Sequence, residues 1–216
     1  MNTPSLRITE IFHSLQGETT TTGLPTVFVR LTGCPLRCVY CDTAYAFEGG
    51  SKMSFTEILD SISQYKTNYV TVTGGEPLAQ PQCIDLLREL CDLGYRVSLE
   101  TSGAICVEEV DSRVVKIVDL KTPGSGEVSR NLYSNIKFLR PEDEVKFVIC
   151  DRSDYDWSCM KIDQLKLRDY GSEILFSPSQ GQLSPQQLAE WILDDRLNVR
   201  MQLQTHKMIW GDQPGH

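Results

Sequence analysis

Apolar, β-branched runs recur along this chain, most of them followed by a turn signal and a stretch of helical period, and this alternation limits the possible folds more than any other feature. The runs are Thr26 to Leu31, Tyr69 to Thr73, Arg96 to Glu100, Lys116 to Leu120, Glu144 to Cys150 and Glu173 to Phe176. Their length and composition predict strands. Helix starts are marked between them. Ser54-Phe-Thr-Glu57 is a capping box ahead of Ile58, Leu59, Ile62 and Tyr65, and Ser184-Pro-Gln-Gln187 is a second one, with Pro at the first helical position, leading into Leu188, Trp191 and Ile192 and ending near Asp195. A third helix carries Ile84, Leu87, Leu90 and Cys91 on one face and stops at Gly94, a residue suited to a left-handed C-terminal cap. Parallel strands need crossovers and helices are the usual ones, so the class is α/β. A complete eightfold barrel takes ~250 residues. Six strand signals in 216 residues therefore predict a partial, open TIM-like barrel of about six βα units. No repeat, low-complexity tract or linker divides it, and one domain over residues 1–216 is expected.

Charge narrows the partners. The chain has a formal net charge of -8 and no block of Lys and Arg, so a phosphate backbone would meet an opposing field, and no nucleic-acid ligand is expected. No stretch reaches the ~20 apolar residues of a membrane span, and the first ten residues lack a basic segment followed by an apolar one. The expectation is a cytoplasmic chain with no membrane partner and with its eight cysteines reduced.

Three of those cysteines are crowded into Cys34-Pro-Leu-Arg-Cys38-Val-Tyr-Cys41, while Cys83, Cys91, Cys106, Cys150 and Cys159 are scattered and read as small buried hydrophobes. Three thiolates at this spacing do not close a tetrahedral zinc site without a distant fourth ligand. A 4Fe-4S cluster held by three thiolates leaves one iron open, and an open iron implies chemistry. Polar residues also follow the strands, at Gly74 to Glu76, Thr101 to Gly103, Lys121 to Gly126 and Ser177 to Gly181. In barrels and open α/β sheets that C-terminal edge is where ligands bind.

A Cys-x3-Cys-x2-Cys loop after the first barrel strand resembles the signature of the radical S-adenosylmethionine (SAM) enzymes, and the fold it implies is the radical SAM core. The resemblance implies that the open iron takes the amino and carboxylate groups of SAM, which is cleaved reductively to methionine and a 5'-deoxyadenosyl radical. It places Tyr40 against the adenine. Thr73-Gly-Gly-Glu-Pro77 looks like the family's GGEP motif, with Gly75 and Glu76 near the methionyl amino group; glycine lets a backbone approach closely and a carboxylate accepts from an ammonium. Glu100, Ser102, Asp119 and Lys121 resemble its ribose-binding and carboxylate-binding positions, and Ser177 and Gln180 its last SAM-contacting loop.

Within that superfamily, Ser14-Leu-Gln-Gly-Glu18, Arg30, Cys41-Asp-Thr43 and Gln204-Thr-His-Lys207 resemble the 7-carboxy-7-deazaguanine synthase family over essentially the whole chain. The resemblance implies conversion of 6-carboxy-5,6,7,8-tetrahydropterin to 7-carboxy-7-deazaguanine with loss of ammonia, on the route to queuosine, with Mg2+ as a further cofactor. Arg30 offers a planar fork for the substrate carboxylate. Leu15, Gln16, Gly17, Glu18 and Thr73 are expected on the pterin, with Glu18 suited to its guanidine-like N-H pair. Thr43 is assigned to Mg2+ by the resemblance; a hydroxyl is a hard oxygen ligand. His206 is the candidate catalytic group, binding substrate or moving a proton during ammonia loss, with a satisfied buried histidine as the alternative. The resemblance also implies a homodimer and an electron donor such as flavodoxin or ferredoxin. Some relatives end soon after the Gln-Thr-His-Lys motif, whereas this chain continues through Ile209, Trp210 and Gly211 to His216. Two other readings stay open: a glycyl-radical enzyme activase, which shares the cysteine loop and the Gly-Gly-Glu and Asp-Leu-Lys features, and a non-catalytic iron-sulfur or zinc-binding module.

Overall fold

The computed structural model describes residues 4–211, 213 and 215, so His216 lies outside the described residues. Among the described residues, nine strands form one continuous open sheet that does not close into a barrel. In chain order they are β1 (Ser5–Leu15), β2 (Pro25–Leu31), β3 (Ser51–Ser54), β4 (Tyr69–Gly74), β5 (Arg96–Thr101), β6 (Val115–Asp119), β7 (Glu144–Ile149), β8 (Glu173–Pro178) and β9 (Arg200–Met201). The order across the sheet is β3-β1-β2-β4-β5-β6-β7-β8-β9. From β2 to β9 every neighbour is parallel, while β1 runs antiparallel to both β2 and β3.

The six strands predicted from sequence are β2 and β4 to β8, each within two residues of its expected ends. Strands β1, β3 and β9 add a rim at the two sides. Four α-helices cover the outer face: α1 (Phe55–Ser63), α2 (Cys83–Asp92), α3 (Arg152–Gln164) and α4 (Pro185–Asp194). A short α5 (Thr205–Trp210) follows the last strand. Not every crossover is helical, because only short 3-10 turns connect β6 to β7.

Local signals explain the helix ends. Both arms of the Ser54 capping box form, with Glu57 N–H donating to Ser54 Oγ at 3.3 Å and Ser54 N–H to Glu57 Oε2 at 2.7 Å. At Ser184 only the forward arm is made, from Gln187 N–H at 3.1 Å.

Strand alternation sorts side chains to two faces. Val27, Val29, Leu31, Val70, Val72, Val97 and Leu99 pack against α1 and α2, and Val145, Phe147, Ile149, Ile174 and Phe176 against α3 and α4. The intervening residues Phe28, Arg30, Thr73, Glu100, Asp119, Lys146 and Ser177 face the concave side. β1 carries a bulge: Ile8 pairs with Leu31 and Glu10 with Arg30, so Thr9 is the extra residue. Leu6 and Ile8 before it, and Ile11 after it, face the helices, while Phe12 turns inward and stacks on Phe28 at 5.0 Å. Cys83 and Cys91 are buried as expected and Cys150 and Cys159 half-buried, but Cys106 is exposed, on the connection between β5 and β6.

Candidate active site

The concave face holds a cavity of about 560 Å³ lined by the C-terminal ends of the parallel strands, the loop after β1, the cysteine loop and the start of α5. Nearly all the residues singled out from sequence line it: Leu15 to Glu18, Arg30, Cys34, Cys38, Tyr40, Cys41, Thr43, Thr73, Gly75, Glu100, Ser102, Asp119, Lys121, Ser177, Gln180 and His206. Parallel strands bring them together because all their loops leave at one edge.

Glu76 is the exception. It is fully buried behind the wall, where its carboxylate accepts from Leu78 N–H (3.0 Å), Thr101 Oγ1 (2.9 Å), Ser102 N–H (2.7 Å) and Ser102 Oγ. Its expected contact with an ammonium gives way to a different task, which is to fix Ser102 from below. Gly75 also has a reason not foreseen: a Cβ there would lie 2.3 Å from the Gly33 carbonyl oxygen and 2.6 Å from Cys34 Cβ. Its hydrogen side chain lets the β4 loop press against the cysteine loop.

Burial pushes the Cys38 thiol up to about 11, against the attraction of Lys121, and raises Cys34 as well. Such thiols become ligands when a metal displaces their protons. Among the described residues no three His, Cys, Asp or Glu side chains are gathered tightly enough for a single ion, whereas a multi-iron cluster takes its thiolates on separate irons. Nearby, Tyr40 Oη and Asp119 Oδ1 are buried without a hydrogen-bond partner. Two unspent polar atoms beside the cysteines are what a polar ligand seated on the cluster would use.

Cation–carboxylate pairs ring the cavity. Arg30 Nε meets Glu10 at 2.7 Å, with the guanidinium between the Phe12 and Tyr45 rings. Lys121 meets Asp119 at 2.9 Å, Lys207 meets Asp42 at 2.8 Å, and Lys146 pairs with Glu18. Burial opposes the charge on Asp42, but the hydrogen bond and charge of Lys207 hold its carboxyl well below the usual range. Burial likewise opposes the charge on Lys121, and Asp119 and Cys38 outweigh it, so its pKa is raised. Glu100 is raised by burial and by Glu18, and His206 is lowered by burial.

The two ends of the chain meet here. Gln204 Nε2 donates to Glu18 Oε1 at 2.7 Å, Thr205 N–H and Oγ1 donate to the Gly17 carbonyl at 3.1 and 2.9 Å, and His206 lies against Gly17. Gln16, 2% exposed, reaches Thr71 Oγ1 at 3.3 Å and Glu100 Oε1 at 3.5 Å, and Thr73 donates to Glu100 at 2.9 Å. Thr43 donates to Asp42 Oδ1 at 2.8 Å. Sequence reading missed Lys146, Asp42, Gln204 and Lys207 as parts of one wall. Asp42, Gln204 and Lys207 stood inside motifs already singled out, though without roles of their own, and Lys146 was signalled by the alternation of β7, which puts it on the inner face with Glu144.

The Radical SAM superfamily matches residues 28–117. The 7-carboxy-7-deazaguanine synthase of Koribacter versatilis is 44% identical over 219 residues, covering 95% of this chain and 97% of that one. This chain belongs to the 7-carboxy-7-deazaguanine synthase family. The family member from Chlorobaculum tepidum is 46% identical over 208 residues, covering 95% and 94% of the two chains. Among solved structures, QueE from Escherichia coli superposes with a TM-score of 0.76 at 24% identity, over 92% of this chain and 93% of that one, which supports the shared fold. The cofactors of a radical SAM synthase of this family, a 4Fe-4S cluster and SAM, fit the donor set at the cysteine end of the cavity.

Proposed function

We propose that this chain converts 6-carboxy-5,6,7,8-tetrahydropterin to 7-carboxy-7-deazaguanine and ammonia, as one catalytic unit spanning residues 1–216. One observation carries the reading: the Ser14–Glu18 and Gln204–Lys207 segments, far apart in sequence, interlock through Gln204–Glu18 and Thr205–Gly17 on the wall of the cavity that the three cysteines also line, and Lys207 ties them to Asp42 beside Cys41. An activase acting on a protein has no use for a polar floor of this kind.

Cys34, Cys38 and Cys41 would hold the cluster, and Tyr40, Gly75, Ser102, Asp119, Lys121, Ser177 and Gln180 would surround SAM, with Glu76 supporting Ser102. When bound, the cluster and SAM would supply the one-electron chemistry that removes hydrogen from C6 of the substrate. The remaining steps fall to the chain. Arg30, its Nε already held by Glu10, turns its two terminal nitrogens to the substrate carboxylate. Gln16, Glu18 and Thr73 orient the pterin, and Glu100 anchors two of them by accepting from Thr73 Oγ1 and Gln16 Nε2. His206, whose pKa burial lowers, offers an imidazole that accepts a proton or a hydrogen bond as the amine leaves. Thr43, tied to Asp42, would face Mg2+ with a hydroxyl oxygen. A homodimer and a flavodoxin- or ferredoxin-like electron donor complete the proposal; both rest on family resemblance.

The decisive experiment is anaerobic reconstitution with iron and sulfide, followed by incubation with SAM, a reductant and the carboxytetrahydropterin. Product 7-carboxy-7-deazaguanine and stoichiometric ammonia are expected. SAM cleavage without either product would refute the substrate, and four irons per chain in a Cys34, Cys38 and Cys41 triple alanine variant would refute the cluster ligands.

A further inference from the structure

One charged group on the cavity floor is explained by neither cofactor. β7 places Val145, Phe147 and Ile149 against the helices, so Lys146 between them is directed inward, onto the cavity wall. A largely buried ammonium is costly, and if packing were its only task an apolar side chain of similar volume would serve better. Lys146 keeps its charge there: burial opposes it, but Glu18, Asp119 and Glu100 outweigh burial and raise its pKa.

The hydrogen-bonding capacity of this ion pair is only partly used. Lys146 Nζ donates to Glu18 Oε2, and Gln204 donates to Glu18 Oε1. An ammonium has three donors and a carboxylate about four acceptor sites. Among the described residues, Glu18 is the one hydrogen-bond acceptor of Lys146 Nζ. Side by side, one on β7 and the other on the loop after β1, the two groups therefore present spare acceptors next to spare donors, and both line the cavity.

We propose that Lys146 is a specificity-determining residue that, together with Glu18, reads the pyrimidinone edge of the pterin. This rests on the substrate assigned above. A 2-amino-4-oxo edge runs donor, donor, acceptor: the exocyclic amine, the ring N3–H and the C4 oxygen. A carboxylate flanked by an ammonium runs acceptor, acceptor, donor. Glu18 takes the two N–H groups and Lys146 donates to the C4 oxygen. A 2,4-diamino edge lacks the N3 proton and turns a donor toward Lys146, leaving buried polar groups unmatched, which is a strong basis for rejection.

The test uses two unreactive, fully oxidised probes that differ only at this edge, pterin-6-carboxylate and 2,4-diaminopteridine-6-carboxylate. Their equilibrium affinities are measured by calorimetry on anaerobically reconstituted protein in the presence of SAM, with iron content confirming an intact cluster. Wild type is expected to prefer the 4-oxo probe by about 100-fold, and Lys146→Met to lower that ratio at least tenfold, the size of one charge-assisted hydrogen bond. Lys146→Arg, which keeps a cationic donor, should retain most of the preference. If Lys146→Met fails to assemble, Lys146→Gln and Lys146→Arg carry the comparison, and an equal ratio in both refutes the proposal. Uniform weakening of both probes with an unchanged ratio would likewise overturn it, leaving Lys146 as a counter-ion alone. Failure of wild type to bind either probe would instead overturn the substrate assignment, and this proposal with it.

Discussion

Gly17→Ala is a small change with a large expected effect. A Cβ on Gly17 would lie 2.0 Å from His206 Nδ1, 2.8 Å from Cγ and 3.0 Å from Cβ of that histidine. To reach ordinary contact at 3.4 Å, the imidazole and the glycine must separate by about 1.4 Å. The obstacle is a side chain on the short α5, so the movement is expected in α5 rather than in the sheet. It would strain Thr205 N–H and Oγ1 on the Gly17 carbonyl (3.1 and 2.9 Å), Gln204 on Glu18 (2.7 Å) and Lys207 on Asp42 (2.8 Å). Overpacking of this kind costs ~1–3 kcal/mol, and a misplacement of ~1 Å at a reacting centre costs ~100-fold in rate. We expect kcat/KM for the carboxytetrahydropterin to fall by ~100-fold in Gly17→Ala, with iron content unchanged. His206→Ala removes the two nearest atoms, Nδ1 and Cγ, and leaves only the Cβ at 3.0 Å, so the second substitution should cost less in the Gly17→Ala background than in wild type, a positive coupling in a double-mutant cycle. The assay is steady-state turnover of all four proteins under anaerobic conditions. Additive losses, or wild-type turnover in Gly17→Ala, would show that this contact does not set the position of α5.

Arg30→Lys should raise KM by at least tenfold, because a lysine cannot both hold Glu10 and fork onto a carboxylate; Glu10→Gln should give a milder form of the same defect, and unaltered KM in both would move the carboxylate site elsewhere. Thr43→Ala should lower turnover and its response to added Mg2+ while Thr43→Ser keeps most of both, measured by titrating the metal into chelator-treated enzyme. Lys116 Nζ and Asp143 Oδ2 form a pair at 2.7 Å with side chains only 3% and 0% exposed, and Asp143 also accepts from Lys116 N–H and Arg140 N–H and lies 3.8 Å from the Arg140 guanidinium, so Lys116→Met should cost ~1.5–3 kcal/mol in urea unfolding, the size of one charge-assisted hydrogen bond, and a loss under 1 kcal/mol would refute that. The depressed pKa of His206 means that the unfolded chain binds its proton more readily. Its contribution to stability is therefore complete above the ordinary histidine value of ~6.5 and is lost as pH falls toward the folded value. His206→Gln should flatten that part of the stability–pH curve.

The parallel core was legible in sequence because each of its strands is a short β-branched run bounded by turns, and the cavity was legible because ligand-bearing residues follow those runs. β1 was not. Its bulge at Thr9 breaks the alternation, so Leu6, Ile8 and Ile11 share a face that no single period of two connects. β3 and β9, with four and two residues, are too short to carry a pattern. At the site, the cysteine loop and the Gly-Gly-Glu turn are local in sequence and were readable. The burial of Glu76 was not, because it depends on Thr101 and Ser102 arriving from the next strand. Pairs such as Asp42–Lys207 and Glu18–Lys146 join residues more than a hundred positions apart, and no local rule connects them.

The bulge in β1 gives the N-terminal strand one residue of slack. Ile8 and Glu10 oppose the consecutive residues Leu31 and Arg30, and beyond Thr9 Glu10 shares a face with Arg30, Phe12 with Phe28 and Ser14 with Thr26. Deleting Thr9 would therefore close the bulge into regular alternation, with Ile8 and Ile11 still toward the helices and Glu10 and Phe12 still toward the cavity. Deleting Ile11 would use up the same slack differently, setting Thr9 opposite Arg30 and turning Glu10 toward the helices, away from the arginine it holds. Along this strand, then, the place of a lost residue matters more than the loss: one deletion is absorbed at Thr9, and its neighbours are needed where they stand.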